Sequence, residues 1–206
     1  MKIIRVEPIE KYISLTWMIN SRCNYDCMYC PEDLHDNTSA LASLDQLKQV
    51  WLDFYEKTKD QNLRYKLSLS GGEVTANKNF LPLIEFIKSG TFPIKSIVVL
   101  TNGSASEKYY KKLAKLVDSL VFSTHSEFFD EKKFFHKVKI INQLMTRPPN
   151  KTVHVNIMDE YWNKDRIELY KNYLDSLHIQ YSVNKIDYSQ QIRIYPLNQG
   201  KLNLVT

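Results

Sequence analysis

Three cysteines fall within one short run, Cys23-Asn24-Tyr25-Asp26-Cys27-Met28-Tyr29-Cys30, and no other position of the 206-residue chain holds one. An odd count forbids a closed disulfide framework. Thiolates at this density bind soft metals. A structural zinc site takes four protein ligands, and His35 could complete a set of three cysteines and one histidine. A four-iron, four-sulfur (4Fe-4S) cluster on three thiolates instead leaves one iron open to an outside ligand, which a catalytic cluster needs and an electron carrier does not. Positions 23, 27 and 30 also stand at i, i+4 and i+7, so three thiols buried on one helix face would give the same spacing. Asn24 and Asp26 argue for a turn rather than a helix interior.

Elements of period two and of helical period alternate on either side of this run. Ile13, Leu15, Trp17 and Ile19 alternate with Ser14, Thr16 and Met18 and read as a strand. Ser43 and Gln46 form a capping-box pair ahead of a stripe of Leu44, Leu47, Val50, Trp51, Phe54 and Tyr55. A strand over 66–70 ends in Gly71-Gly72-Glu73, and a helix through Phe80, Leu83, Ile84 and Ile87 stops at Gly90. A strand over 96–100 ends at Thr101-Asn102-Gly103, and Ser104 with Glu107 reads as a second capping box. A strand over 119–122 runs into Ser123-Thr124-His125, and a helix through Phe134, Val138, Ile141 and Met145 closes at Pro148-Pro149. A strand over 153–157, a helix through Ile167, Tyr170, Leu174 and Leu177, and a strand over 179–183 complete the series, with 192–195 as one further edge strand.

Six strands joined by five helical crossovers imply an α/β protein with parallel strands. The alternation alone fits a barrel, part of a barrel or an open sheet. In every parallel architecture the working site lies at the carboxyl ends of the strands. Those ends carry the cysteines, Gly71-Gly72-Glu73, Thr101-Asn102-Gly103 and Ser123-Thr124-His125, so the unusual polar residues gather on one rim.

The C-x₃-C-x₂-C spacing after the first strand, an aromatic Tyr29 before the last cysteine, and Gly-Gly-Glu closing the second strand resemble the radical S-adenosylmethionine (radical SAM) superfamily. The resemblance covers about positions 13–184. It implies a partial (β/α)6 barrel, TIM-barrel-like, as a single domain over 1–206 with a C-terminal tail over 185–206. It implies that Cys23, Cys27 and Cys30 each hold one iron of a 4Fe-4S cluster, and that S-adenosyl-L-methionine chelates the fourth. Gly71 and Gly72 would let the backbone approach the methionyl amine, Glu73 would place a carboxylate near it, and the backbone at Tyr29 would lie against adenine. Asn102, Ser123, His125 and Asn156 sit at strand positions where the superfamily contacts the ribose, methionine or adenine. Val155-Asn156-Ile157-Met158 lacks the glycine-rich adenine motif of that strand. The implied activity is reductive cleavage of S-adenosylmethionine to a 5′-deoxyadenosyl radical, which takes hydrogen from a peptide or small-molecule substrate. An electron-donor protein of ferredoxin or flavodoxin type is the implied partner.

Two narrower enzyme classes are weighed against this. Activases of glycyl-radical enzymes carry Gly before the first cysteine, where this chain has Arg22, and deazaguanine-type synthases carry Pro after Gly-Gly-Glu, where it has Val74. A zinc-binding or redox module is the non-enzyme alternative. Neither auxiliary clusters nor a preceding leader-peptide domain is expected. The composition, 43% apolar and 25% charged, is that of an ordinary globular chain. No apolar run approaches the roughly 20 residues of a membrane helix, and Glu7 interrupts any signal-peptide core, so a cytoplasmic location is expected. The net charge of +5 gathers at Lys108, Lys111, Lys112 and Lys115 and at Lys132, Lys133, Lys137 and Lys139. These read as solvated faces of two helices rather than a nucleic-acid surface.

Overall fold

The computed structural model describes residues 11–31, 36–146 and 151–186. Six strands alternate with five helices: β1 (Tyr12–Met18), α1 (Leu44–Thr58), β2 (Arg64–Ser70), α2 (Phe80–Ser89), β3 (Ile94–Thr101), α3 (Glu107–Leu116), β4 (Ser119–Ser123), α4 (Glu131–Met145), β5 (Thr152–Asp159), α5 (Lys164–Ser176) and β6 (Gln180–Lys185). They form one parallel sheet in the order β1-β2-β3-β4-β5-β6. That order decides between the architectures left open above. Right-handed crossovers between successive neighbours put every helix on the same face, and a twisted sheet covered on one face curls. The result is a partial TIM-like barrel with β1 and β6 as its edges.

The burial pattern follows. On β2, Tyr65, Leu67 and Leu69 are buried, while Lys66 is exposed and Ser68 half-buried. The buried set joins the apolar stripes of the helices in one core. Trp51 of α1 is fully buried and meets Tyr65 and Phe92 edge to face, at centroid distances of 5.7 and 5.3 Å. Phe122, Phe134, Phe129, Phe135 and Tyr170 continue the aromatic layer under β4 and α4. Val50, counted on the α1 stripe above, is exposed, because its position turns away from the contact that Leu47 and Trp51 make.

The helix starts are set locally. Ser43 accepts from the Gln46 N–H and the Gln46 side chain accepts from the Ser43 N–H, a complete capping box. α3 differs from expectation. Its cap is Ser106, which accepts from the Tyr109 N–H, while the Ser104 N–H is taken by the Asn102 side chain. Lys137, placed above on a solvated face, is half-buried. It lies over the Tyr110 ring and donates to the carbonyls of Gly103 and Ala105. His35, Pro148-Pro149 and the strand expected at 192–195 lie outside the described residues. No helix among the described residues is long and apolar enough to cross a membrane.

Trp51→Ala empties the centre of the aromatic layer between α1 and β2. A loss of about 3–5 kcal/mol is expected for a fully buried ring, read as a lower urea midpoint at unchanged slope. An unchanged midpoint would contradict the packing.

Candidate active site

The β1–β2 ladder does not stop at the strand ends. The Ile19 N–H donates to the Ser70 carbonyl at 2.9 Å, Gly72 N–H to Asn20 O at 2.8 Å, and Glu73 N–H to Arg22 O at 2.9 Å. The two chains touch here at backbone distance. A Cβ on Gly71 would stand 2.2 Å from Asn20 O, and one on Gly72 would stand 2.3 Å from Ser21 O and 2.5 Å from Arg22 O. Gly71 also has φ +136°, which side-chain-bearing residues rarely adopt. The two glycines therefore seat the start of the cysteine loop against β2. The loop is fixed further by Cys23 N–H to Asp36 O at 2.7 Å and Cys30 N–H to Cys27 O at 3.0 Å.

Above this contact lies a cavity of about 250 Å³, lined by Cys23, Cys27, Cys30, Tyr25 and Tyr29 of the loop and by residues at the ends of β2, β3 and β4. The latter include Gly71, Gly72, Asn102, Ser123 and His125. Of the residues named from the sequence, Glu73 and Asn156 do not line it. Glu73 is fully buried and turned into the protein. Its Oε1 accepts from the Thr75 N–H, the Thr75 hydroxyl and the Thr101 hydroxyl, and its Oε2 from the Asn102 N–H at 2.6 Å. Burial pushes this carboxyl up and the donors pull it back. The carboxylate is a buckle across the ends of β2 and β3, and its lone pairs are already committed. Asn156 lies on β5 in register with Ser123 and Ser182, and its carbonyl accepts the Thr124 N–H.

None of the three thiols is in a disulfide; Cys27 is buried and the other two are half-buried. Burial pushes the Cys27 thiol well above the usual thiol range and raises Cys23 as well. Desolvation disfavours a bare thiolate here, and metal coordination is what deprotonates such a group. Among the described residues no three His, Cys, Asp or Glu side chains close on a single ion. The three sulfurs border a cavity instead, and three soft donors on one wall fit a multi-metal cluster with one corner left for an outside ligand.

Polar side chains organise the far wall. His125 Nδ1 is 2.6 Å from the Tyr29 hydroxyl and 3.5 Å from Cys27 Sγ. Burial holds this imidazole down to about 4, so it is neutral at pH 7. Asn102 Nδ2 donates to Asn24 Oδ1 at 3.0 Å and points at Cys23 Sγ at 3.8 Å. Tyr25 stacks on Phe128 at 5.3 Å between centroids. Two acidic residues missed in the sequence stand behind this wall and hold its residues. Glu127 Oε1 accepts the Met28 N–H at 3.2 Å. Glu160, fully buried just beyond β5, hydrogen-bonds Tyr29. Position just after β4 and β5, at the carboxyl rim, was the available signal for both.

No protein-family model matches the chain. It is similar to the GTP 3',8-cyclase of Mannheimia succiniciproducens, 25% identical over 182 residues, 83% of this chain and 52% of that protein. A Haemophilus influenzae GTP 3',8-cyclase is 28% identical over 143 residues, 67% of this chain and 40% of the relative. The chain thus spans about half the length, or less, of these curated relatives. A crystal structure of BtrN in complex with AdoMet and 2-DOIA aligns with 57% of this chain and 48% of that one, at a TM-score of 0.45 and 20% identity. The cysteine spacing, the Gly-Gly-Glu turn and the sequence relatives support a radical SAM superfamily enzyme.

Two outcomes follow from this geometry. Gly72→Ala forces a methyl group into the Ser21–Arg22 backbone, so a loss of about 1–3 kcal/mol or more is expected in chemical unfolding; a neutral result would mean the two turns are not in contact. Burial pushes Glu127 up to about 7. The folded state then keeps a proton that the unfolded chain releases near pH 4.3. This contribution to stability is complete below about pH 4.3 and is lost as pH rises toward 7. Glu127→Gln should flatten that fall in stability, measured by urea titration from pH 4.5 to 7.5, and parallel curves would refute the assignment.

Proposed function

We propose that this chain is the catalytic core of a radical SAM enzyme, with Cys23, Cys27 and Cys30 as ligands of a 4Fe-4S cluster. Bound there, the cluster and S-adenosylmethionine would supply a 5′-deoxyadenosyl radical by reductive cleavage, for hydrogen abstraction from a substrate. The observation that carries the reading is the meeting of three thiols and the exposed backbone of Gly71 and Gly72 on one cavity at the carboxyl rim of a parallel sheet.

The chain's own residues divide the work. The thiols bind the metal. The Gly71-Gly72 backbone and the polar groups of Asn102 and Ser123 orient the amino-acid and ribose parts of S-adenosylmethionine. Glu73 acts at one remove, by fixing the Asn102 backbone through its N–H. His125 and Tyr29, whose rings lie nearly parallel, form a wall that keeps water from the cluster side. The relatives are named for a reaction of GTP, which favours a small molecule over a peptide as substrate. An electron donor of ferredoxin or flavodoxin type would deliver the electron.

Anaerobic reconstitution with iron and sulfide tests the reading. The expected product is a brown protein with acid-labile sulfide that forms 5′-deoxyadenosine when reduced with S-adenosylmethionine. Cys27→Ala should reduce 5′-deoxyadenosine to background. A colourless protein holding one equivalent of zinc would overturn the reading in favour of a structural module.

A further inference from the structure

The buried carboxylate of Glu160 has no place in the roles assigned so far, and its surroundings are unusual. Its neighbours offer it hydrogens. The Ser126 N–H donates to both carboxylate oxygens at 3.1 Å. The Ser126 hydroxyl also points at it, because Trp162 Nε1–H occupies that oxygen from the other side at 2.6 Å. Asn163 Nδ2 donates at 3.0 Å, and the Tyr29 hydroxyl is the remaining contact. The N–H donors of Ser126 and Asn163 cannot accept a carboxylic acid proton, and the hydrogen bonds from Ser126 and Tyr29 favour the ionised carboxylate against the burial.

The Tyr29 hydroxyl is therefore a branch point. It lies within hydrogen-bond reach of Glu160, of His125 Nδ1 and of Cys27. It has one hydrogen to give. The anionic carboxylate claims that hydrogen, so the Tyr29 oxygen accepts from His125 Nδ1–H, and Cys27 receives a share of the same N–H at 3.5 Å. Hydrogen bonds to cluster sulfurs are one of the protein's levers on reduction potential.

We propose that Glu160 is a positioning residue that sets the reduction potential of the cluster by withholding the Tyr29 hydrogen from the Cys27 sulfur. The idea rests on the cluster reading above. Through this relay a residue at the end of β5 tunes a metal ligand on the loop after β1, without touching the metal site itself.

The test uses the full chain, reconstituted anaerobically, with iron and sulfide content measured first and the cluster potential then read by electron paramagnetic resonance at controlled potentials. Glu160→Gln frees the Tyr29 hydrogen for Cys27, stabilises the reduced cluster, and should raise the ratio of reduced to oxidised cluster about tenfold at a fixed potential, about 59 mV for one electron. In a Tyr29→Phe background the same substitution should have little further effect, because the groups act in series. An unchanged potential in Glu160→Gln, or an equal shift in both backgrounds, overturns the relay; the second result would mean Glu160 acts by its charge alone. Tyr29→Phe by itself keeps the ring on His125 and covers the case in which Glu160→Gln fails to fold. It passes the His125 N–H wholly to the sulfur and should also raise the potential, and a fall or no change overturns the proposal. A wild-type chain that takes up no iron and sulfide would instead refute the cluster reading, before any variant is compared.

Discussion

The site depends on a contact between two backbones. Where β1 and β2 end, a sheet would ordinarily splay into separate loops. Here the ladder continues through Ile19, Asn20 and Arg22 against Ser70, Gly72 and Glu73. It continues because positions 71 and 72 carry no Cβ; a methyl group at either would overlap a carbonyl oxygen of the opposite turn. The cysteine loop is thus held at its root by main-chain hydrogen bonds, before any side chain or metal acts. Sequence resemblance gives the glycines a ligand-approach role, and they do line the cavity. Their tighter constraint, however, is the chain's own backbone.

Two buried carboxylates extend that order around the rim. Glu73 joins the ends of β2 and β3, and Glu160 joins the segment after β5 to Ser126 after β4. Each accepts from neutral donors, backbone N–H groups, hydroxyls and, at Glu160, the Asn163 amide, rather than from a cation. Fixed dipoles replace the lost hydration of a buried anion without adding a competing mobile charge. The carboxyl rim is therefore rigid on both sides of the cavity, while the apolar core on the helix-covered face supplies the stability beneath it.

Much of this was legible in the sequence, for physical reasons that differ by feature. The six strands and five helices show in the periods because each element must bury one face. The thiols and the Gly-Gly-Glu turn are legible because their chemistry is rare and their spacing is local. The Ser43 capping box is legible for the same reason, since both partners lie within four residues. What the sequence does not show is long-range or compensatory. Glu73 reads as a carboxylate beside the ligand, and sequence cannot reveal that Thr101 and Asn102 also take its lone pairs. The α3 cap moved from Ser104 to Ser106 because Asn102 captured the Ser104 N–H. Glu127 and Glu160 went unnoticed because their partners Met28 and Tyr29 are more than ninety positions away, and only the curled sheet brings them together.

Carboxylates stand behind the thiols and the phenol of the cavity. Among the described residues no lysine or arginine lines the cavity, whereas Glu73 acts electrostatically on Cys23, Glu127 on Cys27, and Glu160 on Tyr29. Such a surrounding raises the cost of every added negative charge. For a cluster on these thiols it disfavours the reduced state and makes that state, once formed, a strong electron donor. The same field attracts a cation, and a sulfonium is one. Bond cleavage that begins with electron transfer to a sulfonium needs both a reluctant acceptor of electrons and a site that draws the positively charged partner beside it. Under the proposed reading the nearby carboxylates would serve both needs, held behind the surface that the ligand would touch.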